Sequence, residues 1–346
     1  MRLPVFDLLK FALMVMVVRG HLEGNGFFDP LNGIAYNLTI GVSMPLFFMI
    51  SGFFAAKAFE TNDNIKIVAR ITSFLWPLAA FGIIFGLTLF MFGKITFWKL
   101  LLYPAARVCG GSWFLSTLAM LYAIFAVVWK FAKRMKWRLA ALSWIYLALF
   151  FLAGQGKVAA WLHLGDVLHM LPYFAFGVLV LKPFNLYKKW AVAIPCGIFF
   201  LLVIFFEGDV RANGMSFYWV PVDWQTVIAD RRLFLCFWAR SVVGITGGVF
   251  MLYVTERVLN VLPLLSYLAV FGTTSLGVYV MHEWPMIQIH KYVQFDPLSS
   301  YLRWPLVVMV FLFCHYVTML IRGNLVLRFF FFGDEKWLSE VIKRWI

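Results

Sequence analysis

Residues 5–22 read VFDLLKFALMVMVVRGHL, an apolar run of the length that crosses a bilayer, interrupted by Asp7, Lys10, Arg19 and His21. Lys10 and His21 are eleven positions apart, close to three turns at 3.6 residues per turn, so a helix carries both on one face, roughly 16 Å apart along its axis. Asp7 shares that face. A cation near the bilayer centre costs about 2.5–3.5 kcal/mol even on the lenient insertion scale, so a chain keeps one there only where a polar interior receives it. The first helix is therefore expected to line a site.

Working outward, the composition agrees with a membrane protein. Charged residues make up 13% and hydrophobic residues 63% of the chain, against a charged share of about 25% in soluble domains; the mean hydropathy is +0.86. The net charge of +14 is carried by Lys and Arg between apolar runs, where a cytoplasmic bias and anionic lipid headgroups account for them and nucleic acid is not needed. Cys109, Cys196, Cys236 and Cys314 show no CxxC spacing, so neither a metal site nor a disulfide framework is indicated. The first span has no small-residue cleavage pattern after its apolar core and is expected to stay in the mature protein.

About 20 mostly apolar residues make a span. On that criterion the chain reads as an all-α polytopic bundle of about ten spans, near residues 4–22, 33–56, 71–92, 112–131, 138–154, 166–181, 190–206, 233–254, 264–283 and 304–321. With a cytoplasmic N-terminus, Lys and Arg divide 18 inside to 9 outside, which puts both termini in the cytoplasm. Residues 1–346 are read as one membrane domain with no appended soluble domain. The stretch from Glu207 to Arg232 is either a lid or an interfacial loop. Trp337, Leu338, Val341 and Trp345 form an apolar stripe in a tail of about 324–346 that lies on the inner membrane surface.

This topology sorts the polar groups. His21, Trp113, His169, His282 and Glu283 fall at outer span ends on four helices, whereas Lys66 and Arg70 fall at the cytoplasmic mouth of the third span. A lone His near an interface is most often a satisfied structural group, and His163, His290 and His315 are read so. His21 differs because it shares a face with Lys10 and Asp7. Neutral His is a base near its ordinary pKa of about 6.5 and contributes roughly 10²–10⁴-fold when it removes a proton in a reaction. A cation at the depth of Lys10 favours developing negative charge, although Asp7 is equally its ion-pair partner. His282 either orients His21 or binds substrate; Trp113 either stacks on it or anchors at the interface.

A basic residue, ten intervening residues and a His in the first span are followed by PLFFMISGFF at residues 45–54, Ser112-Trp113-Phe114-Leu115, Leu171-Pro172-Tyr173-Phe174 with Gly177, and Ser275-Leu276-Gly277-Val278-Tyr279-Val280-Met281-His282. In this order and spacing, over nearly the whole chain, they resemble the acyltransferase 3 family of integral-membrane O-acyltransferases. The resemblance implies transfer of an acyl group, acetyl or succinyl, from cytoplasmic acyl-CoA to a carbohydrate hydroxyl across the inner (cytoplasmic) membrane. The acceptor is then a glycan or glycolipid, and no cofactor is permanently bound. His21 becomes the presumptive catalytic residue with Lys10 as its basic partner, Trp113, His169, His282 and Glu283 become substrate-binding, and Arg70 with Lys66 binds the CoA phosphates. Two departures stand out. Lys10 replaces the usual Arg and cannot make bidentate contacts, and the family's RxxR survives as Arg70-Ile71-Thr72-Ser73. A secondary transporter of an organic solute or glycan precursor is the alternative reading, but it would usually show an internal repeat, and none is seen.

Overall fold

In the computed structural model the described residues are 3–24, 33–61, 63–106, 108, 113–152, 163–206, 231–282 and 300–333. Among them there is no strand. The helices are α1 (Pro4–Gly24), α2 (Gly33–Glu60), α3 (Asn64–Met91), α4 (Phe97–Ala106), α5 (Trp113–Phe131), α6 (Met135–Leu152), α7 (Leu164–Phe176), α8 (Trp190–Phe206), α9 (Arg231–Val261), α10 (Ala269–Gly272), α11 (Ser275–Met281), α12 (Ser300–Gly323) and α13 (Leu325–Phe332). A π-helical turn at Gly177–Leu181 and a last turn at Lys182–Phe184 extend α7, and a 3₁₀ segment at Pro263–Leu268 leads into α10.

Each of the ten expected spans coincides with helix. Seven helices among the described residues are long and apolar enough to cross a membrane, and a bent pair, Pro263–Gly272 with Ser275–Met281, makes an eighth. The protein is an all-α, multi-pass membrane protein. α1 is not among these helices; it carries Asp7, Lys10 and Arg19. The expected span at 264–283 is broken by 46°, and α4, which was not expected, is an apolar helix too short to span. The possible lid from Glu207 to Asp230, Glu283, His290 and the tail stripe from Trp337 to Trp345 lie outside the described residues.

The chain divides into two compact units: Met1–Ile50, Val180–Pro221 and Arg232–Leu320 form one, and Ser51–Leu179, Val222–Arg231 and Ile321–Ile346 the other. In the second unit α3 packs against α4, α5 and α13, and α7 packs against α5 and α6. Its core is aromatic: Phe125 meets Phe174 edge-on at 4.9 Å and stacks on Trp129 at 5.3 Å, and Tyr122 lies 5.3 Å from both Phe74 and Phe174. Such pairs add about 0.5–1.5 kcal/mol each beyond area burial. Gly52, inside the PLFFMISGFF landmark, explains how α2 reaches α7: a Cβ there would strike the Phe174 carbonyl oxygen and sit 3.2 Å from Val178 N. Where lipid rather than water is the solvent, small residues of this kind set how closely helices approach. α13 is fixed to α3 by the Trp76 indole N–H, which donates to the Phe330 carbonyl at 2.9 Å.

In the first unit α8 and α9 interlock reciprocally. The Phe250 ring of α9 covers Gly197 of α8, and the Phe200 ring of α8 covers Gly247 of α9. α1 lies along α10 and α11 and is buried on most of its circumference, with Phe6, Leu9, Leu13, Met14, Val18 and Leu22 all buried. Large apolar side chains elsewhere, such as Met91, Trp144 and Leu320, remain more than two-thirds exposed, as expected for surfaces that meet acyl chains.

Candidate active site

α1 supplies the first half of the site. Lys10 Nζ lies 3.2 Å from Asp7 Oδ1, both side chains partly buried, so the intramembrane cation of the sequence is held by a carboxylate one turn before it. Gly272 ends α10 directly against this turn, its missing Cβ leaving space for the Asp7 carbonyl. On the same side of the unit Phe11 meets Phe271 at 5.4 Å and Phe311 at 5.2 Å. Phe271 also touches the buried His315 ring at 4.7 Å, and His315 Nδ1 lies 2.7 Å from Thr274 Oγ1 in the break between α10 and α11. The break therefore has local partners. The Thr273 and Thr274 hydroxyls donate to the carbonyls of Val270 and Phe271, taking up backbone acceptors that a straight helix would use. His315 is thus a structural histidine, as expected from the sequence.

The second half lies at the other end of the same two elements. His21, half-buried on α1, meets His282 at the end of α11 with ring centroids 4.7 Å apart and planes inclined by 75°. The α10–α11 pair runs parallel to α1, with Gly272 beside Asp7 and His282 beside His21. His282 is 1% exposed. Its Nδ1 lies 2.7 Å from the Tyr279 carbonyl and 3.1 Å from that of Val278. Carbonyl oxygens only accept, so the Nδ1 carries the proton in the neutral ring and Nε2 keeps its lone pair. That Nε2 is buried with no hydrogen-bond partner.

Arg19 is a buried cation on α1 that the sequence reading did not single out. It is 7% exposed, with its guanidinium 5.8 Å above the Trp304 ring of α12. Two positions before His21, it points about 200° around the helix and away from the histidine pair. Its only sequence signal was a third charge in one span. Arg240 on α9 is likewise buried.

Of the remaining expected site residues, Glu283 lies outside the described residues and the others belong to the second unit. Trp113 opens α5, its ring edge-on to Phe114 at 6.2 Å, and His169 is half-buried on α7. At the start of α3 Asp63 caps the helix, accepting from Lys66 N at 3.0 Å while Lys66 Nζ reaches its second oxygen at 2.6 Å. Lys66 is largely exposed, whereas Arg70, one turn on, is half-buried with its guanidinium 5.6 Å above the Phe74 ring. The structure thus joins His21 with His282 and Lys10 with Asp7. His163, at the start of α7, is tied to Asp166 at 2.8 Å. Among the described residues no group of His, Cys, Asp and Glu is arranged to hold a metal ion.

Chemically, α1 and the broken helix present a half-buried imidazole backed by a second, tautomerically fixed imidazole, with a paired cation deeper in the membrane. This is equipment for moving a proton at a membrane-embedded reaction centre. No curated protein and no solved structure matches the chain. The family model described as "Acyltransferase domain", that of acyltransferase 3, matches residues 3–323 and so takes in every element of this site. The chain belongs to the acyltransferase 3 family and is a membrane acyltransferase.

Proposed function

We propose that the protein moves an acetyl or succinyl group from cytoplasmic acyl-CoA to a carbohydrate hydroxyl on the outer side of the inner membrane. The observation that carries this reading is His21, a titratable base on a buried membrane helix, seated on His282 in a chain of an acyltransferase family. His21 takes the hydroxyl proton as the oxygen attacks the thioester carbonyl, and the C–S bond breaks to release CoA. Lys10, roughly 16 Å along α1 from His21, is proposed to steady the pantetheine arm of the donor. Trp113, His169 and Glu283 serve the acceptor. The direct test feeds labelled acyl-CoA to membranes containing the protein and compares surface glycans by mass spectrometry with and without the gene; solute flux without CoA release would point to a transporter instead.

The sidedness of the reaction rests on the 18-to-9 distribution of Lys and Arg. A reporter active only outside the cytoplasm is expected to be silent when fused after Ile346 and active when inserted near Asn213. The opposite pair of results reverses the side assigned to every site residue.

At the donor end, Arg70 and Lys66 are proposed to meet the CoA phosphates, with Arg70 dominant. An Arg guanidinium can bind phosphate in a bidentate way. Lys66 has only an exposed pair with Asp63, of a kind worth about 0–1 kcal/mol and readily exchanged. A hydrogen bond to a charged group contributes about 1.5–3 kcal/mol, so Arg70→Ala is expected to weaken acyl-CoA binding by roughly tenfold or more while kcat changes little. Affinity equal to wild type would leave Arg70 as a topology signal.

A further inference from the structure

His282 has a donor site in use and an acceptor site idle. Its Nδ1–H is committed to the Tyr279 carbonyl at 2.7 Å, its Nε2 lone pair is buried without a partner, and the ring beside it is that of His21, 4.7 Å away. A buried acceptor without a donor is rare in native structures and needs a reason. Catalytic hydrogen bonds are often long in the free enzyme and tighten only when substrate is bound. In its neutral form His21 has one N–H, and as an imidazolium it has two. The second N–H appears only while His21 holds the substrate's proton.

Resting on the acyl-transfer reading above, we propose that His282 is a positioning residue whose Nε2 accepts a hydrogen bond from one ring N–H of His21, so that the lone pair of the other His21 nitrogen acts as the base. The acceptor hydroxyl gives its proton to that nitrogen as its oxygen forms the bond to the thioester carbonyl carbon. The C–S bond then breaks, and the departing thiolate takes the same proton from His21. The products are the ester and the free CoA thiol, with both imidazoles neutral again. His282 thus takes the part that a buried carboxylate plays in a hydrolase triad, fixing the tautomer and orientation of the base. It does so without placing a negative charge in the membrane, where one is expensive. The fixed element is the backbone of α11: the Tyr279 carbonyl holds Nδ1, which decides that Nε2 is the accepting atom.

Two substitutions separate this role from a packing role. The amide of His282→Asn falls near the Nδ1 position and keeps a donor for the Tyr279 carbonyl, but offers nothing at Nε2. The amide of His282→Gln reaches the Nε2 position and offers an acceptor there. In membranes fed labelled acetyl-CoA or succinyl-CoA, His282→Gln is expected to keep at least about a tenth of wild-type kcat, and His282→Asn to fall by about a hundredfold, both with the acyl-CoA KM within about twofold of wild type. A merely structural histidine predicts the reverse order. Nitrogen-15 NMR of histidine-labelled protein gives a readout that needs no turnover: besides His163 and His315, whose Nδ1 atoms face the Asp166 carboxylate and the Thr274 hydroxyl, a further neutral histidine should be protonated at Nδ1, and that signal should vanish in both variants. Asn activity equal to or above that of Gln, or a lost signal that belongs to an Nε2-protonated ring, overturns the assignment alone. Absence of acyl transfer by the wild-type protein overturns the acyl-transfer reading, and this assignment with it.

Discussion

His21→Ala is expected to reduce acyl transfer by at least about two orders of magnitude, because the loss of a positioned general base removes roughly 10²–10⁴ in rate. The same variant is expected to melt close to wild type. His21 is half-buried near the C-terminal end of α1, and the His282 Nε2 beside it has no hydrogen-bond partner among the described residues. A half-buried side chain near the end of one helix contributes little packing, so its truncation is expected to cost little stability. The contrast between an activity loss of this size and a nearly unchanged melting temperature is what separates a base from a packing residue. Labelled acyl transfer to glycans measures the first, and thermal unfolding in detergent the second. Retention of more than roughly a tenth of wild-type transfer would make His21 structural and leave His169 or His282 as the base.

How much of this was legible follows from which signals survive in a lipid solvent. The spans were readable because apolar length is a physical requirement of the bilayer, and α2, α5, α7 and α8 begin and end within a few residues of expectation. The histidine pair was half readable. Counting sides placed His21 and His282 in one layer, but contact between them depends on α11 running beside α1, which no local pattern encodes. The break at residues 272–275 was invisible, because the run from 264 to 283 stays apolar and the Thr273 and Thr274 hydroxyls, which share the Val270 and Phe271 carbonyls with their own backbone N–H groups, read as ordinary polar residues in a span. α4 and α13 are short apolar helices held by α3, and a span-length criterion passes over both. The landmarks behind the family resemblance have packing reasons as well as chemical ones. Gly52 admits the Phe174 carbonyl, and Gly277 admits the Thr318 side chain, so part of what looks like an active-site signature is the geometry that holds the helices at the required distance.

Gly272→Ala is expected to be the most destabilising single-methyl change in the first unit. A Cβ at position 272 would fall on the Asp7 carbonyl oxygen, 2.6 Å from the carbonyl carbon and 3.0 Å from Cα. These are backbone atoms of α1, which cannot swing aside as a side chain would. Ordinary overpacking costs about 1–3 kcal/mol because neighbouring rotamers absorb part of it; here the helices themselves must separate, so the loss should reach or exceed the upper end of that range. Separation would also disturb what depends on the same approach, namely the Phe11–Phe271 contact at 5.4 Å and, at the other end of the two elements, the His21–His282 pair. Acyl transfer should therefore fall together with the melting temperature. Gly20→Ala on α1 is the matched control. Nothing lies within 4 Å of its added Cβ, and alanine favours helix over glycine by about 1 kcal/mol, so its melting temperature should hold or rise. Were Gly272→Ala to melt like Gly20→Ala, α10 would not press on the Asp7 turn, and the parallel run that brings His282 to His21 would lose its anchor.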